Sequence, residues 1–278
     1  MKKIYDNVSI KVSRTITNSY STSFSIGIRC LHKSLHNSIY SIYGFVRLSD
    51  EIVDSFSGYD QKLMLEKLEK DTFNSINDGI SINPVLNSFQ EVVNKFDIDH
   101  DLIHQFLKSM KMDLEERVYN EKEYELYILG SAEVVGLMCL KVFCEGNNEQ
   151  YERLKIPAKK LGAAFQKINF LRDFKTDYYD LKRMYFPNME INNFNIEAKR
   201  KIEEDITKDF EEGYIGIKNL PQKARFGTYI AYKYYFRLLK RIKNTSVNGI
   251  LNNRVRLPNG VKYSIFIVSI VRKVLRLI

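Results

Sequence analysis

The sequence predicts an all-α protein forming a single domain over residues 1–278. Three observations carry that reading. Glycine and proline are scarce, 13 and 5 residues among 278, and a sandwich or doubly wound sheet needs more turn residues than that. Apolar residues recur at three- and four-residue steps through most of the chain. No segment alternates apolar and polar side chains well enough to make a strand.

The elements follow in order. Over residues 34–56, Leu35, Ile39, Ile42, Val46 and Val53 keep a helical spacing. Residues 61–76 read as a second, more charged helix, and 77–83 as a turn. Pro84 suits the first position of the next helix, where its missing N–H costs nothing. Asp99 can cap a helix running to residue 117. Residues 123–145 form a long apolar helix, and Pro157 opens another that reaches Asp177. After a loop at 188–195, two helices at 196–218 and 222–243 flank Pro221, and the last covers 261–278.

Charge and cysteine content narrow the setting. The net charge is +9, from 43 basic and 34 acidic residues. That balance favours anionic partners such as phosphorylated substrates or anionic lipid. No basic patch interleaved with aromatics marks a nucleic-acid module, so nucleic acid is not an expected partner. Cys30, Cys139 and Cys144 are odd in number and irregular in spacing, which fits a reducing cytoplasm. The basic segment 1–14 has no apolar core and is not read as a signal peptide. The apolar run 265–271 is too short to cross a bilayer, so the chain is expected to be soluble or to lie on a membrane. The expected location is cytoplasmic, with peripheral contact at the inner face of the cell membrane as the variant of that reading. There, Ile267, Ile270, Val271, Val274 and Ile278 would form the apolar face of the terminal helix, with Arg272, Lys273 and Arg276 opposite. The competing reading packs that helix on the body.

Two carboxylate stripes carry the chemistry. Asp50 and Asp54 are four residues apart and share a helix face, which Arg47 and Tyr43 extend by whole turns. Asp173 and Asp177 repeat the spacing, with Asn169 and Gln166 above them. One such pair on a solvated face is commonplace. Two pairs on helices as apolar as these point to a shared cavity. Like charges on one face repel, and burial raises the cost unless a cation compensates. Magnesium suits one or two carboxylates completed by phosphate oxygens and water. Arg47 can take a diphosphate oxygen through a charge-assisted bond.

Four stretches then point to a family: Ser21-Thr22-Ser23-Phe24-Ser25; residues 43–54, from Tyr43-Gly44-Phe45 to Asp54; Val135-Gly136-Leu137-Met138; and Asn169-Phe170-Leu171-Arg172-Asp173, followed by Asp177 and Arg183-Met184-Tyr185-Phe186-Pro187. Through them the chain resembles the squalene and phytoene synthases, the head-to-head prenyl synthases of sterol and carotenoid biosynthesis, across residues 19–259. The stretch from Arg254 to Asn259 is similar to the bacterial phytoene synthase branch. The resemblance implies an isoprenoid-synthase helical bundle around a central cavity. It implies that Asp50, Asp54, Asp173 and Asp177, with Asn169, hold Mg2+ (or Mn2+) and a diphosphate, with Arg47 and Gln166 in the same site. It further implies that Tyr127, Tyr43, Tyr185 and Arg183 lie near the diphosphates, that Ser21 and Ser23 belong to the substrate site, and that Phe24 lines the prenyl pocket. Three departures stand out. Thr176 replaces an acidic residue, one extra residue separates Asp177 from Arg183, and Gly27-Ile28 stands where relatives carry alanine and, in some, an aromatic.

The implied activity is phytoene synthesis from two geranylgeranyl diphosphates through a cyclopropyl diphosphate. The alternatives are squalene or dehydrosqualene synthesis from farnesyl diphosphate, and an assembly protein that keeps the fold without the chemistry. All four aspartates and Arg47 are present, which disfavours the last.

Overall fold

The computed structural model describes residues 1–115, 117–187, 189 and 193–275. Among them the chain is helical almost throughout, as the sequence predicts. The first half runs α1 (Lys2–Tyr20), α2 (Thr22–Arg29), α3 (Lys33–Asp54), α4 (Gln61–Asp78), α5 (Pro84–Phe96) and α6 (His100–Met112). A π turn (Leu129–Glu133) joins α7 (Glu121–Ile128) to α8 (Val134–Cys144), and α9 (Asn148–Lys175) passes into a second π turn (Thr176–Asp180). The chain ends with α10 (Ile196–Asn219), α11 (Gln222–Lys243), α12 (Val247–Asn252) and α13 (Asn259–Val274).

Local chemistry sets most boundaries. Asn83 caps α5, with its side chain accepting from the Val85 amide, and Pro84 takes the first position. Asn120 and Glu123 close a reciprocal capping box on α7. Gly79, in the left-handed region at φ 69°, ends α4.

Several expectations need correction. The helix after Asp99 stops at Met112, five residues short of the expected end, and Arg117–Val118 (β1) instead pairs in parallel with Arg183–Met184 (β2). Two residues are too few for alternation to be readable, so the sequence showed no strand. Helix α9 begins at Asn148, capped by the Asn147 side chain, and Pro157 sits inside it. A proline there removes one backbone bond; packing holds the helix, since Pro157 lies directly under Gly216 of α10. Helix α1 was not anticipated because its buried face is Ser9, Ser13 and Thr17. These small side chains return their hydroxyls to carbonyls, as Ser9 does to Tyr5 at 2.9 Å and Thr17 to Ser13 at 2.8 Å, and they let α1 approach α3. Helices α2 and α12 are short and were likewise not singled out. Of the expected loop 188–195, residues 188 and 190–192 lie outside the described residues, as do Arg276 and Ile278 of the expected terminal face.

The stretch Glu121–Cys144 is long and apolar enough to cross a membrane by composition alone. Here it is a core element: Val134, Met138, Leu140 and Val142 are buried to 1% exposure or less. Two apolar cores result. One gathers α3, α5, α6 and α8; the other gathers α9, α10 and α11. Between them lies a cavity of about 300 Å³ lined by both.

Candidate active site

Each stripe sits on a helix that also carries buried apolar residues. In α3, Phe45, Ile52 and Val53 are buried in the core, and Tyr43, Arg47 and Asp50 line the cavity together with Ile42. In α9, Ile168, Phe170 and Leu171 are buried, which turns Gln166 and Asn169 to the cavity from the other side. Phe24 and Tyr127 complete the set of predicted residues on its wall.

Arg47 is held rigidly. It pairs with Asp50 and Glu51, and its guanidinium lies 4.3 Å from the centre of the Tyr20 ring. Burial opposes its charge, but Asp50 and Glu51 outweigh burial and keep it firmly cationic. Its Nε is buried with no hydrogen-bond partner, and so is Ser131 Oγ on the cavity wall. Asp50 keeps 37% of its side-chain surface open, and that surface faces the cavity it lines. Burial first, and then the charge of Asp54, push its carboxyl up to about 7, against the pull of Arg47.

Asp54 is held from across the molecule. Arg183, at the start of β2, donates to Asp54 at 2.7 Å, to the Val53 carbonyl at 3.0 Å and to the Asp113 carbonyl at 2.8 Å. The β1–β2 bridge therefore aims Arg183 at the first stripe. Asp173 is gripped by Arg172 and by Arg254 Nε at 2.6 Å. Asp177 lies two residues past the end of α9, inside the second π turn. Such a turn holds one residue more than an α turn, and it occurs where the chain carries one residue more than the family spacing. Burial, then Asp173 and Asp54, push the Asp177 carboxyl well above the usual range. The two stripes thus share one electrostatic field.

The sequence missed Asp113, which organises the floor of the site. It follows α6 and is 6% exposed. Tyr127 donates to it at 2.6 Å and Tyr185 at 2.9 Å, while Arg183 Nε lies 3.7 Å away. Tyr185 also stacks on Phe170, with centroids 4.1 Å apart. Tyr20, Glu51, Arg172 and Arg254 were also not assigned roles; Glu51, Arg172 and Arg254 sit inside the motif stretches, but adjacency to a site aspartate was a signal only for Glu51 and Arg172, since Arg254 reaches Asp173 from 81 positions away.

Asp54, Asp173, Asp177, Arg183 and Tyr185 are not on the cavity wall, and Ser21 and Ser23 stand apart from this charged cluster as well. Ser21 caps α2, accepting from the Phe24 amide at 3.2 Å. It thereby fixes the start of the helix that carries Phe24, whose ring lies 5.1 Å from Tyr43, and does not itself line the cavity. Ser23 is half-buried and is not on the cavity wall.

Among the described residues, no three Asp, Glu, His or Cys side chains converge as a ready-made cation site. The donor set still fits magnesium. It offers carboxylates in pairs, with Asn169 beside them, and magnesium completes such pairs with phosphate oxygens and water. Burial first, and neighbouring aspartates second, raise the Asp50 and Asp177 carboxyls, and a bound cation would offset both causes. The unpartnered Arg47 Nε marks an anion-binding donor next to them.

Comparison with known proteins gives the family and the fold. The chain is 25% identical over 200 residues to 4,4'-diapophytoene synthase of Staphylococcus haemolyticus, covering 70% of this chain and 67% of that protein. It is 24% identical over 279 residues to phytoene synthase of Arthrospira platensis, covering 91% of this chain and 90% of that protein. Against phytoene synthase 1, chloroplastic, of Solanum lycopersicum, the chain spans only 60% of the relative's length. In fold it is similar to a dehydrosqualene synthase solved with a ligand, with a TM-score of 0.83, 20% identity and 98% of each chain covered. Residues 17–260 match the squalene/phytoene synthase family, and the chain belongs to that family of head-to-head prenyltransferases.

Proposed function

We propose that the protein condenses two geranylgeranyl diphosphates head to head, through a cyclopropyl diphosphate, to phytoene with release of diphosphate. The observation that carries this reading is one apolar cavity bearing Arg47, Asp50, Gln166 and Asn169 on its wall, with the remaining aspartates in the same field. Bound magnesium would neutralise a diphosphate and so help it leave as an anion. Asp50 and Asp54 would hold it on one side, Asp173, Asp177 and Asn169 on the other.

The chain's own residues supply the rest. Arg47 presents its free Nε to a phosphate oxygen, held in place by Glu51 and Tyr20. Departure of the first diphosphate leaves an allylic cation. The double bond of the second substrate attacks it, and proton loss closes the cyclopropane. The second diphosphate then leaves, and rearrangement and a further proton loss end the reaction. Stacked Phe165 and Tyr235, 4.1 Å apart, with Phe24 and Tyr43 beside them, offer π faces to these cations. The apolar wall excludes water, which would otherwise quench them. The Gly27-Ile28 pair supports the longer substrate: Ile28 is on the cavity wall where some relatives place an aromatic ring.

A second reading is supported by the Staphylococcus haemolyticus relative: two farnesyl diphosphates joined to a thirty-carbon product. The test is incubation of the purified protein with magnesium and each diphosphate, with the hydrocarbon identified by mass spectrometry. A forty-carbon product is expected. A thirty-carbon product alone replaces the substrate, and no product from either replaces the enzymatic reading with that of an assembly protein.

A further inference from the structure

Among the described residues that line the chamber, two buried side-chain atoms have no hydrogen-bond partner: Arg47 Nε and Ser131 Oγ. The anion site accounts for the first. The second has no role in the reaction as derived above, and a buried hydroxyl left unpaired is costly and uncommon. Its place in the chamber is informative. Tyr127, Ser131, Val135, Cys139 and Phe143 follow at four-residue steps from α7 through the first π turn into α8, and all five are on the wall. This row starts on the charged floor, where Tyr127 donates to Asp113 at 2.6 Å. After Ser131 it continues with Val135, Cys139 and Phe143, none of them charged. Ser131 is therefore the step at which the wall passes from charged to apolar. A prenyl diphosphate changes in the same way along its length, from a charged head to an oily chain. The bond at that junction, between the first carbon and the bridging oxygen, is the one that breaks.

The backbone at this step is held from two sides. A Cβ on Gly130 would stand 2.6 Å from the Gln105 carbonyl oxygen and from Ser109 Cβ, both in α6. One on Gly162 of α9 would stand 2.6 Å from the Ala132 carbonyl oxygen. The π turn is thus wedged between α6 and α9, and such turns recur at functional sites. What remains free is the χ1 rotation of Ser131. Turning the hydroxyl into the chamber breaks no hydrogen bond, because it makes none where it lies.

We propose that Ser131 is a further catalytic residue, an inference that rests on reading the chamber as a prenyl diphosphate site. Its hydroxyl donates a hydrogen bond to the bridging oxygen of one prenyl diphosphate as the carbon–oxygen bond breaks. The electron pair of that bond leaves with the diphosphate, the carbon becomes the allylic cation, and the serine keeps its proton. Negative charge grows on the bridging oxygen during this step. A donor aimed at that oxygen in a water-poor chamber therefore stabilises the transition state more than the bound substrate.

The test measures diphosphate release by the full chain, with magnesium, from geranylgeranyl and from farnesyl diphosphate. Wild type is compared with Ser131→Ala, Ser131→Thr and Ser131→Val. Threonine and valine have nearly the same shape and differ in the hydroxyl, so a role in packing alone would affect both alike. Ser131→Ala is expected to lower kcat about ten-fold or more with KM changed less than about two-fold, the signature of a contact made in the transition state. Ser131→Thr is expected to turn over about ten-fold faster than Ser131→Val. Circular dichroism and Tm show that each variant is folded. A Ser131→Ala kcat within about two-fold of wild type overturns the proposal, as does equal turnover by the threonine and valine variants. A change confined to KM overturns it too, because the hydroxyl would then serve binding alone. Wild type that releases diphosphate from neither substrate fails the prenyl diphosphate reading itself, and the role of Ser131 falls with it.

Discussion

At the scale of single residues, the site depends on how negative charge is distributed between arginines and an incoming ligand. Asp50 and Asp173 each have an arginine partner, yet both belong to a field rich in carboxylates. Asp50→Ala and Asp173→Ala are expected to lower turnover by at least about a thousand-fold, because preorganised charge at the leaving group supplies much of such a barrier reduction. Circular dichroism should show the fold intact; a variant with near-normal turnover would remove that aspartate from the diphosphate site. Asp113 gives a stability prediction. Burial pushes its carboxyl up to about 6, against the pull of Arg183 and of the Tyr127 hydroxyl. The folded state then binds its proton more tightly than the unfolded state, so this residue's contribution to stability falls as pH rises from about 4 to about 6 and is level above that. Asp113→Asn should remove up to about 3 kcal/mol of that fall, measured by denaturant melts at both ends of the window. Asp50 has a shift of the same sign, so a slope remains in the variant.

At the scale of elements, small residues determine which helices can approach. A Cβ on Gly216 would stand 2.4 Å from Pro157 Cβ, and one on Gly44 would stand 2.7 Å from Ser13. Gly216→Ala is expected to cost about 1–3 kcal/mol, as overpacking does elsewhere, and to lower the Tm measurably. An unchanged Tm would mean that α9 and α10 separate freely at that point. The π turns belong at this scale too. The first places Ser131 and Ala132 on the cavity wall, and the second carries Asp177. Neither leaves a sequence signature that differs from ordinary helix, which is why both stretches read as continuous helices. The start of α9 was missed for a related reason: proline is a local signal for a helix start, and tertiary packing against Gly216 overrode it.

At the scale of the whole molecule, the two cores enclose a chamber, and under the proposed function its length is what sets the product. Ile28 is 4% exposed and belongs to that wall. Ile28→Phe is expected to shift the ratio of thirty- to forty-carbon product upward by about ten-fold or more, since a pocket resolves one or two carbons by roughly that factor. Mass spectrometry of products from both substrates measures it, and an unchanged ratio would place the end of the chain elsewhere.

The sequence by itself determined the helical class, most helix positions, both aspartate pairs with Arg47, and the family. Periodicity and the spacing of charged residues are local, so they are written in the order of the residues. Tertiary structure alone decided what those residues face. It brought Arg183 of one short strand to Asp54, 129 positions away, and gathered Tyr127, Tyr185 and Arg183 on Asp113. It gave α1 a buried face of serine and threonine, and it packed Val261 and Ile265 of α13 on the core while leaving Ile267 and Val271 exposed. Each of these is a long-range contact, and no period or motif along the chain encodes which side of a helix its neighbours will occupy.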